Sequence, residues 1–309
     1  MISKETAPSD FLANPKSFES TMMTAKIRRW GGESMFPLGI VSGVLGQIGE
    51  LPAESEALLV GAGVTWDDFS ELVLESLVPT PWTIPEKEYL DRLDLRNECV
   101  FSIDPPTARD LDDAISLKML EKGKYEIGVH IADVSYFVRP ATTLDYEAQN
   151  RSTSVYLVQK VIPMLPRLLC EELCSLNPGV DRLSFSVFWI FDEDANIIGD
   201  PVFKRTIINS CAKLSYNHAQ CVIEGRDWSE FGAVPLSGKW TTSDIENNIK
   251  QFYKFSQILR RKRYENGALS LNSLKLWFNL DECGNPVETG VYESKEANRL
   301  IEEVIFFLI

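Results

Sequence analysis

Histidine and closely paired cysteines are scarce in this sequence, and their scarcity excludes several kinds of site. Two histidines and six cysteines occur in 309 residues. No two cysteines have the C-x-x-C spacing that zinc sites and dithiol redox motifs use. We therefore expect no structural zinc site, and we interpret the cysteines as reduced, mostly buried thiols.

Long apolar runs and excess positive charge are also missing. Residues 1–30 contain no continuous apolar core like that of a signal peptide, and no stretch reaches the roughly 18 apolar residues of a membrane span. The net charge of -14 argues against a generally basic, non-specific nucleic-acid binder but leaves room for a local basic channel. We expect an intracellular protein with no membrane partner.

The sequence contains enough apolar residues, 44% of the chain, to bury a large core in one to three domains. Residues 1–30 are polar and predict a flexible leader, while glycines and short apolar runs predict β-structure from residue 36. Helices are predicted at 53–59 and 64–77. A proline-rich segment near residue 80 then marks a domain boundary.

Strands and helices alternate after that boundary without a βαβ repeat, which indicates an α+β fold. Alternating residues at 124–132 predict one strand of a hairpin that turns at 121–123, and alternation at 183–191 predicts a strand paired with 201–208. Apolar residues at helical spacing predict a long helix that buries one face and ends in the basic run Arg260–Arg263. The buried face contains Ile245, Ile249, Phe252, Phe255 and Leu259.

Four aspartates lie within ten residues, directly after an apolar strand, at Asp104, Asp110, Asp112 and Asp113. Crowded carboxylates repel one another unless cations hold them, so the stretch predicts a site for hard divalent cations. Two such cations could serve phosphodiester hydrolysis. The alternatives are a solvated acidic loop or a structural calcium site, although an EF-hand is disfavoured because the loop centre lacks glycine.

The sequence around these acids resembles the RNB catalytic domain of the RNase II/RNase R exoribonucleases from about residue 96 onward. Within it, YLVQK at 156–160 and RLLCEELC at 167–174 are most similar to the Dis-three-like exonuclease 2 branch. Residues 36–49 resemble the end of a β-barrel cold-shock OB domain, which places a partial second cold-shock domain and linker at 31–80. The RNB motifs are IDP (103–105), DLDDA (110–114), VHIADVSYFV (129–138), TSVY (153–156), VIPMLP (161–166) and LCSLNPG (173–179).

This resemblance implies roles for particular residues. The four aspartates would bind Mg²⁺, or Mn²⁺, as the catalytic acids, and Tyr156 would stack on RNA near them. Tyr216 and either Glu302 or Glu303 would contact the terminal nucleotide and its sugar. The basic residues Arg260, Arg261 and Arg263 could line a channel for phosphates, or they could simply complement the helix dipole.

The resemblance implies 3'-to-5' hydrolysis of single-stranded RNA, including 3'-oligouridylated RNA, by a cytoplasmic monomer with no cofactor other than metal. The family's later phosphate-stabilising arginine and its S1 domain have no counterpart in residues 96–309, so the chain resembles only the N-terminal portion of an RNB domain. One alternative is a truncated, weakly active or inactive RNA-binding protein of the same family. The other is a calcium-stabilised structural loop.

Overall fold

A computed structural model describes residues 1–32, 34–121, 123–271, 274–282 and 284–306. The chain forms two compact units. The smaller unit contains residues 1–69, 156–162 and 280–287, and the larger contains 70–155, 163–279 and the residues from 288 onward. No helix among the described residues is both long enough and apolar enough to cross a membrane.

The smaller unit is built on an antiparallel pair of strands followed by a helix. The register pairs Thr21 with Gln47, and irregularities interrupt it at three points. Two 3₁₀ helices precede the strands, at Lys4–Thr6 and Pro15–Phe18. The main elements are β1 (Thr21–Arg29), β2 (Leu38–Gln47) and α1 (Leu51–Gly61).

The segment predicted as a flexible leader contains regular structure, because β1 lies within residues 1–30. The ammonium group of Met1 donates to the carbonyl of Pro37 at 2.7 Å. A strand of a two-stranded sheet can expose much of its surface, so it needs few apolar residues and its composition looks like that of a loop. The prediction of a helix at 64–77 was wrong, since only Glu71–Glu75 is helical in that range.

The larger unit contains most of the strands and helices. Its helices are α2 (Glu71–Glu75), α3 (Glu86–Asp91), α4 (Val134–Phe137), α5 (Thr143–Arg151), α6 (Tyr216–Glu224), α7 (Thr242–Glu265) and α8 (Glu296–Phe306). A π-helix spans Leu168–Leu173, and a 3₁₀ helix spans Trp228–Phe231. The remaining strands of the chain are β3 (Leu93–Leu95), β4 (Val100–Asp104), β5 (Asp113–Glu121), β6 (Lys124–Ala132), β7 (Val155–Tyr156), β8 (Val161–Ile162), β9 (Asp181–Asp192), β10 (Val202–Asn209), β11 (Ala212–Ser215), β12 (Lys275–Leu280) and β13 (Pro286–Tyr292). Of these, β8 belongs to the smaller unit, and β7, β12 and β13 have residues in both units.

A seven-stranded mixed sheet organises the larger unit in the order β11-β4-β5-β6-β9-β10-β3. β4 pairs with β11 in parallel, β10 pairs with β3 in parallel, and the other neighbours are antiparallel. The predicted hairpin and the predicted pairing of the strand at 183–191 with 201–208 are confirmed by β5–β6 and β9–β10. β7–β8 and β12–β13 form separate two-stranded ribbons.

The long helix α7 packs its apolar stripe into the main hydrophobic core, as its helical spacing predicts. All five predicted core positions on α7 are buried. Phe252 contacts Phe101 of β4 edge to face, with ring centroids 6.4 Å apart, and Phe255 contacts Tyr125 of β6 at 5.2 Å. These contacts fix α7 against the sheet.

A series of hydrogen-bonded polar side chains, all buried except the half-buried Ser116, crosses four strands of the sheet. His130 Nε2 lies 2.9 Å from Ser116 Oγ, and His130 Nδ1 lies 2.7 Å from Ser186 Oγ. Ser186 Oγ then contacts Thr206 Oγ1 at 2.6 Å, and Thr206 Oγ1 contacts Ser184 Oγ at 2.5 Å. Each hydroxyl in this hydrogen-bonded series thus has a polar partner, as burial of polar groups favours.

Candidate active site at one end of the sheet

The predicted acids meet at the end of the sheet where β4 and β11 stop and β5 begins. Asp104 is the last residue of β4, and Asp113 is the first residue of β5. In the parallel β4–β11 pair, Asp104 lies opposite Ser215, and helix α6 begins at the next residue, Tyr216. The connection from β4 to β5 brings Asp104 and Asp113 to this end of the sheet, and the parallel β4–β11 pair brings Ser215 and Tyr216 there from far along the chain.

The acidic loop between β4 and β5 is held by the motif at 173–179. The buried Ser175 Oγ accepts a hydrogen bond from the Leu111 amide at 3.0 Å and donates one to the Arg109 carbonyl at 2.8 Å. The Leu176 amide donates to the Leu111 carbonyl at 2.9 Å, and the Leu111 side chain is fully buried. These bonds replace the ladder partners that a loop backbone lacks.

Burial and mutual repulsion perturb the carboxyl groups. Asp104 is only 8% exposed, and burial raises its pKa to about 6. The charges of Asp113 and Asp112 act in the same direction. Burial also raises the pKa of Asp113 to about 6, and the charge of Asp112 adds to this effect. The pKa of Asp112 is raised by burial and by the charge of Asp110, although Asp112 reaches solvent. These are the shifts expected of crowded acids.

Two further side chains lie beside the acids. Burial raises the pKa of Tyr216 to about 12, with added effects from the charges of Asp104 and Asp113. The Lys213 ammonium donates to the Ala108 carbonyl, and its charge acts to lower the pKa of Asp104. Tyr216 was predicted from the sequence. Lys213 was missed, because its approach to Asp104 depends on the pairing of β11 with β4.

The acids show some, but not all, features of a cation site. Asp104 Oδ2 is buried and has no hydrogen-bond partner among the described residues, so a hard cation would satisfy it. The neighbouring carboxylates repel one another, and a bound cation would also relieve that repulsion. Across the described parts of the chain, however, no three or more acidic, histidine or cysteine side chains are arranged to hold a metal ion. The group of residues fits a divalent cation in charge and chemistry, while a complete cage is not preformed.

The other predicted RNA-contact residues lie in three places. Tyr156 is 63% exposed on β7. Glu302 is mostly exposed on α8. Arg260 and Arg261 lie near the C-terminal end of α7, and the Arg260 guanidinium is 5.6 Å from the centre of the Tyr264 ring.

Glu303 and Arg263 bind each other rather than facing open solvent. Arg263 Nε donates to Glu303 Oε2 at 3.1 Å, and Arg263 Nη2 donates to Glu303 Oε1. Glu303 is buried, and both of its oxygens are used. Because Glu303 is buried and paired with Arg263, a sugar hydroxyl would reach its carboxylate only after this contact opens.

Comparison with known proteins assigns both parts of the chain. The family model of the RNB domain matches residues 92–307, and that of Dis3-like cold-shock domain 2 (CSD2) matches residues 1–63. The DIS3-like exonuclease 2 of Xenopus tropicalis is 49% identical over 300 residues, which cover 96% of this chain and 36% of the relative. An Arabidopsis thaliana relative named inactive exonuclease DIS3L2 is 46% identical over 288 residues, covering 93% and 27%.

Solved structures share the same fold. Mycoplasma genitalium RNase R, in complex with ribose methylated single-stranded RNA, aligns with a TM-score of 0.80 and 22% identity over 99% of this chain and 45% of its own. The predicted α+β fold, with RNB structure preceded by a cold-shock OB domain, is confirmed. The chain spans about a third of the length of its curated relatives. With an RNB match over most of its residues, the chain belongs to the RNB exoribonuclease family.

Proposed function

We propose that the chain carries the acidic centre of a 3'-to-5' exoribonuclease that hydrolyses single-stranded RNA to nucleotides. The observation that carries the proposal is the buried, unpartnered Asp104 oxygen beside other carboxylates at one end of the sheet. A chain that keeps such a costly group gains from a ligand that pairs with it. The residues that would hold Mg²⁺, or Mn²⁺, are Asp104, Asp110, Asp112 and Asp113.

The strand ends give these acids a defined position. Asp104 and Asp113 are fixed by pairing with Ser215 and Ile131, respectively, so their backbones need not reorganise when substrate binds. When bound, divalent cations supply charge stabilisation and an activated water for in-line displacement at phosphorus. Lys213 positions the acidic loop through the Ala108 carbonyl.

Tyr216 supports binding of the terminal nucleotide in this proposal. Because its pKa is raised to about 12, the phenol stays protonated at neutral pH and can donate a hydrogen bond. A donor beside the acids suits an oxygen of the terminal sugar, and a contact to the 2'-hydroxyl would separate RNA from DNA. The exposed ring of Tyr156 provides a stacking face that is tolerant of sequence.

The relatives named DIS3-like exonuclease 2 support the proposal of an exonuclease of that branch. We extend the proposal to 3'-oligouridylated RNA as substrate and to a cytoplasmic monomer in RNA decay. These assignments rest on the resemblance rather than on a pocket for uracil.

A labelled single-stranded oligouridylate tests the proposal directly. With Mg²⁺ present, the wild-type chain is expected to release nucleotides from the 3' end, and Asp112→Asn is expected to lose at least ~100-fold in rate because an anionic ligand becomes neutral. Asp200→Asn is the matched control, since Asp200 is an exposed aspartate outside the acidic loop. Equal rates for wild type and Asp112→Asn would overturn the assignment.

A second candidate is RNA binding without hydrolysis. Two observations favour it: the described acids form no ready group of three ligands, and a relative at 46% identity is named an inactive exonuclease. A mobility shift that persists in Mg²⁺ with intact RNA would establish this candidate, and conversion of the RNA to mononucleotides would exclude it.

A further inference from the structure

A row of side chains crosses the sheet from the acidic end. Direct antiparallel partners place Asp113 opposite Ile131, Ile131 opposite Phe185, and Phe185 opposite Arg205. Directly paired residues point to the same face of a sheet, so these four side chains share one face. Neighbouring strands lie about 4.8 Å apart, which puts Phe185 roughly 10 Å from Asp113.

The middle of this row exposes aromatic surface. Phe185 is 46% exposed and stacks with Phe203 on β10, whose own side chain is 56% exposed. Their ring centroids lie 6.3 Å apart, with an angle of 28° between the ring planes. Large aromatic rings usually bury most of their surface, so an exposed stacked pair on a strand face indicates a ligand-binding surface.

The far end of the row carries positive charge. Arg205 is exposed, and the described part of the chain provides it with no ion-pair partner. A strand of nucleic acid presents both of the groups that this surface suits, since bases stack on aromatic rings and phosphates pair with a guanidinium. A negatively charged chain needs such local sites, because its overall charge repels RNA.

We propose that Phe185, Phe203 and Arg205 form an RNA-binding track that leads single-stranded RNA across the sheet to the acidic end. Because Phe185 lies only about 10 Å from Asp113, the track holds the segment just upstream of the terminal nucleotide. Stacking on Phe185 and Phe203 tolerates every base, while Arg205 contacts a phosphate. The direction of the track rests on the proposed function, but its affinity for RNA does not.

Binding of a fluorescein-labelled oligouridylate, measured by anisotropy in EDTA, tests the track without catalysis. The double variant Phe185→Leu/Phe203→Leu keeps the apolar contacts but removes the ring faces, and we expect roughly tenfold weaker binding. Arg205→Gln is expected to lower the slope of log K against log salt by about 0.7. Phe231→Leu is the matched control, since Phe231 is 47% exposed on the separate 3₁₀ helix and should leave affinity unchanged.

Photocrosslinking provides a second measurement that needs no variant. Oligouridylate carrying 5-iodouridine is expected to crosslink to the peptide of Phe185 or Phe203. Crosslinks elsewhere, together with unchanged affinity of the double variant, would overturn the track and leave the exposed rings as a surface for a protein partner. If hydrolysis depends on Asp112 while these variants bind normally, only the track fails; if hydrolysis is absent but the variants bind weakly, only the nuclease proposal fails.

Discussion

The acidic end of the sheet and the contact between α7 and α8 both bury a carboxylate, but they handle the charge differently. Glu303 gives both oxygens to Arg263 of the facing helix. Asp104 instead lies among other acids with one oxygen unpartnered, and its pKa is raised. The first arrangement is complete within the protein, whereas the second needs a proton or a bound cation. The difference separates a stabilising ion pair from a binding site.

Breaking the complete pair should produce the largest effect on stability. Arg263→Ala leaves the Glu303 carboxylate buried without its partner, and we expect a loss of about 3 kcal/mol in the free energy of unfolding. Urea denaturation measures it. Arg261→Ala, an exposed arginine on the same helix, should change stability by less than ~0.5 kcal/mol. Similar losses in both variants would show that the pair is not the stabilising element.

The buried His130 extends the comparison to a group that the fold keeps neutral. Burial lowers its pKa to about 3, from about 6.5 in the unfolded chain. Below pH 6.5 the unfolded chain takes up a proton that the folded protein does not, so stability falls as the pH falls from about 6.5 toward 3.

Between pH 7 and pH 5, the free energy of unfolding of wild type should therefore fall by about 2 kcal/mol more than that of His130→Gln. The glutamine of the variant cannot take up a proton in this pH range. Denaturation curves at the two pH values measure the difference. Parallel losses in the two proteins would show that His130 is protonated in the fold. The serine partners of His130 keep a hydrogen-bonding side chain in the variant.

Ser175→Ala tests how the acidic end is held in place. The change removes the hydrogen-bond partner of the buried Leu111 amide and of the Arg109 carbonyl. We expect the free energy of unfolding to fall by about 1.5 kcal/mol. Ser17→Ala, in the smaller unit, removes a single exposed hydrogen bond and should have little effect. If Ser175→Ala is as stable as wild type, the loop is held by its side-chain packing rather than by Ser175.

Divalent cations should stabilise the acidic end by a smaller amount. At Mg²⁺ five times above its dissociation constant, the free energy of unfolding should rise by about 1 kcal/mol, and Asp104→Asn should abolish the rise. Thermal melting with and without Mg²⁺ measures it, with Asp200→Asn as the control. Stabilisation by calcium alone would favour the structural-loop alternative.

Much of the local structure was predictable because it depends on near neighbours. The apolar spacing of α7 identifies its buried face before any pairing is known. The apolar run of β9 likewise predicts a buried strand, which is buried on both faces over Ser186–Trp189. The sequence also placed the four acids in one short stretch, which runs from the end of β4 to the start of β5. Their shared position with Tyr216 followed from family resemblance rather than from periodicity.

Other features required the sheet register, which no single segment encodes. Phe185 is the exposed residue of a strand that is otherwise buried or half-buried, and only the register shows that it shares a row with Asp113 and Arg205. Lys213 reaches the acidic loop through the β4–β11 pair. Glu303 looked like a solvated or RNA-binding residue, because its partner Arg263 lies 40 residues away.

The parallel pairing of β4 with β11 also determines when the acidic site can form during folding. Lys213 and Ala108 are 105 residues apart in the chain. Closing so long a loop costs entropy before any contact repays it, which makes such pairings slow to form. During synthesis the aspartates leave the ribosome well before β11 does, so the nascent chain carries an acidic loop that cannot yet assemble its site.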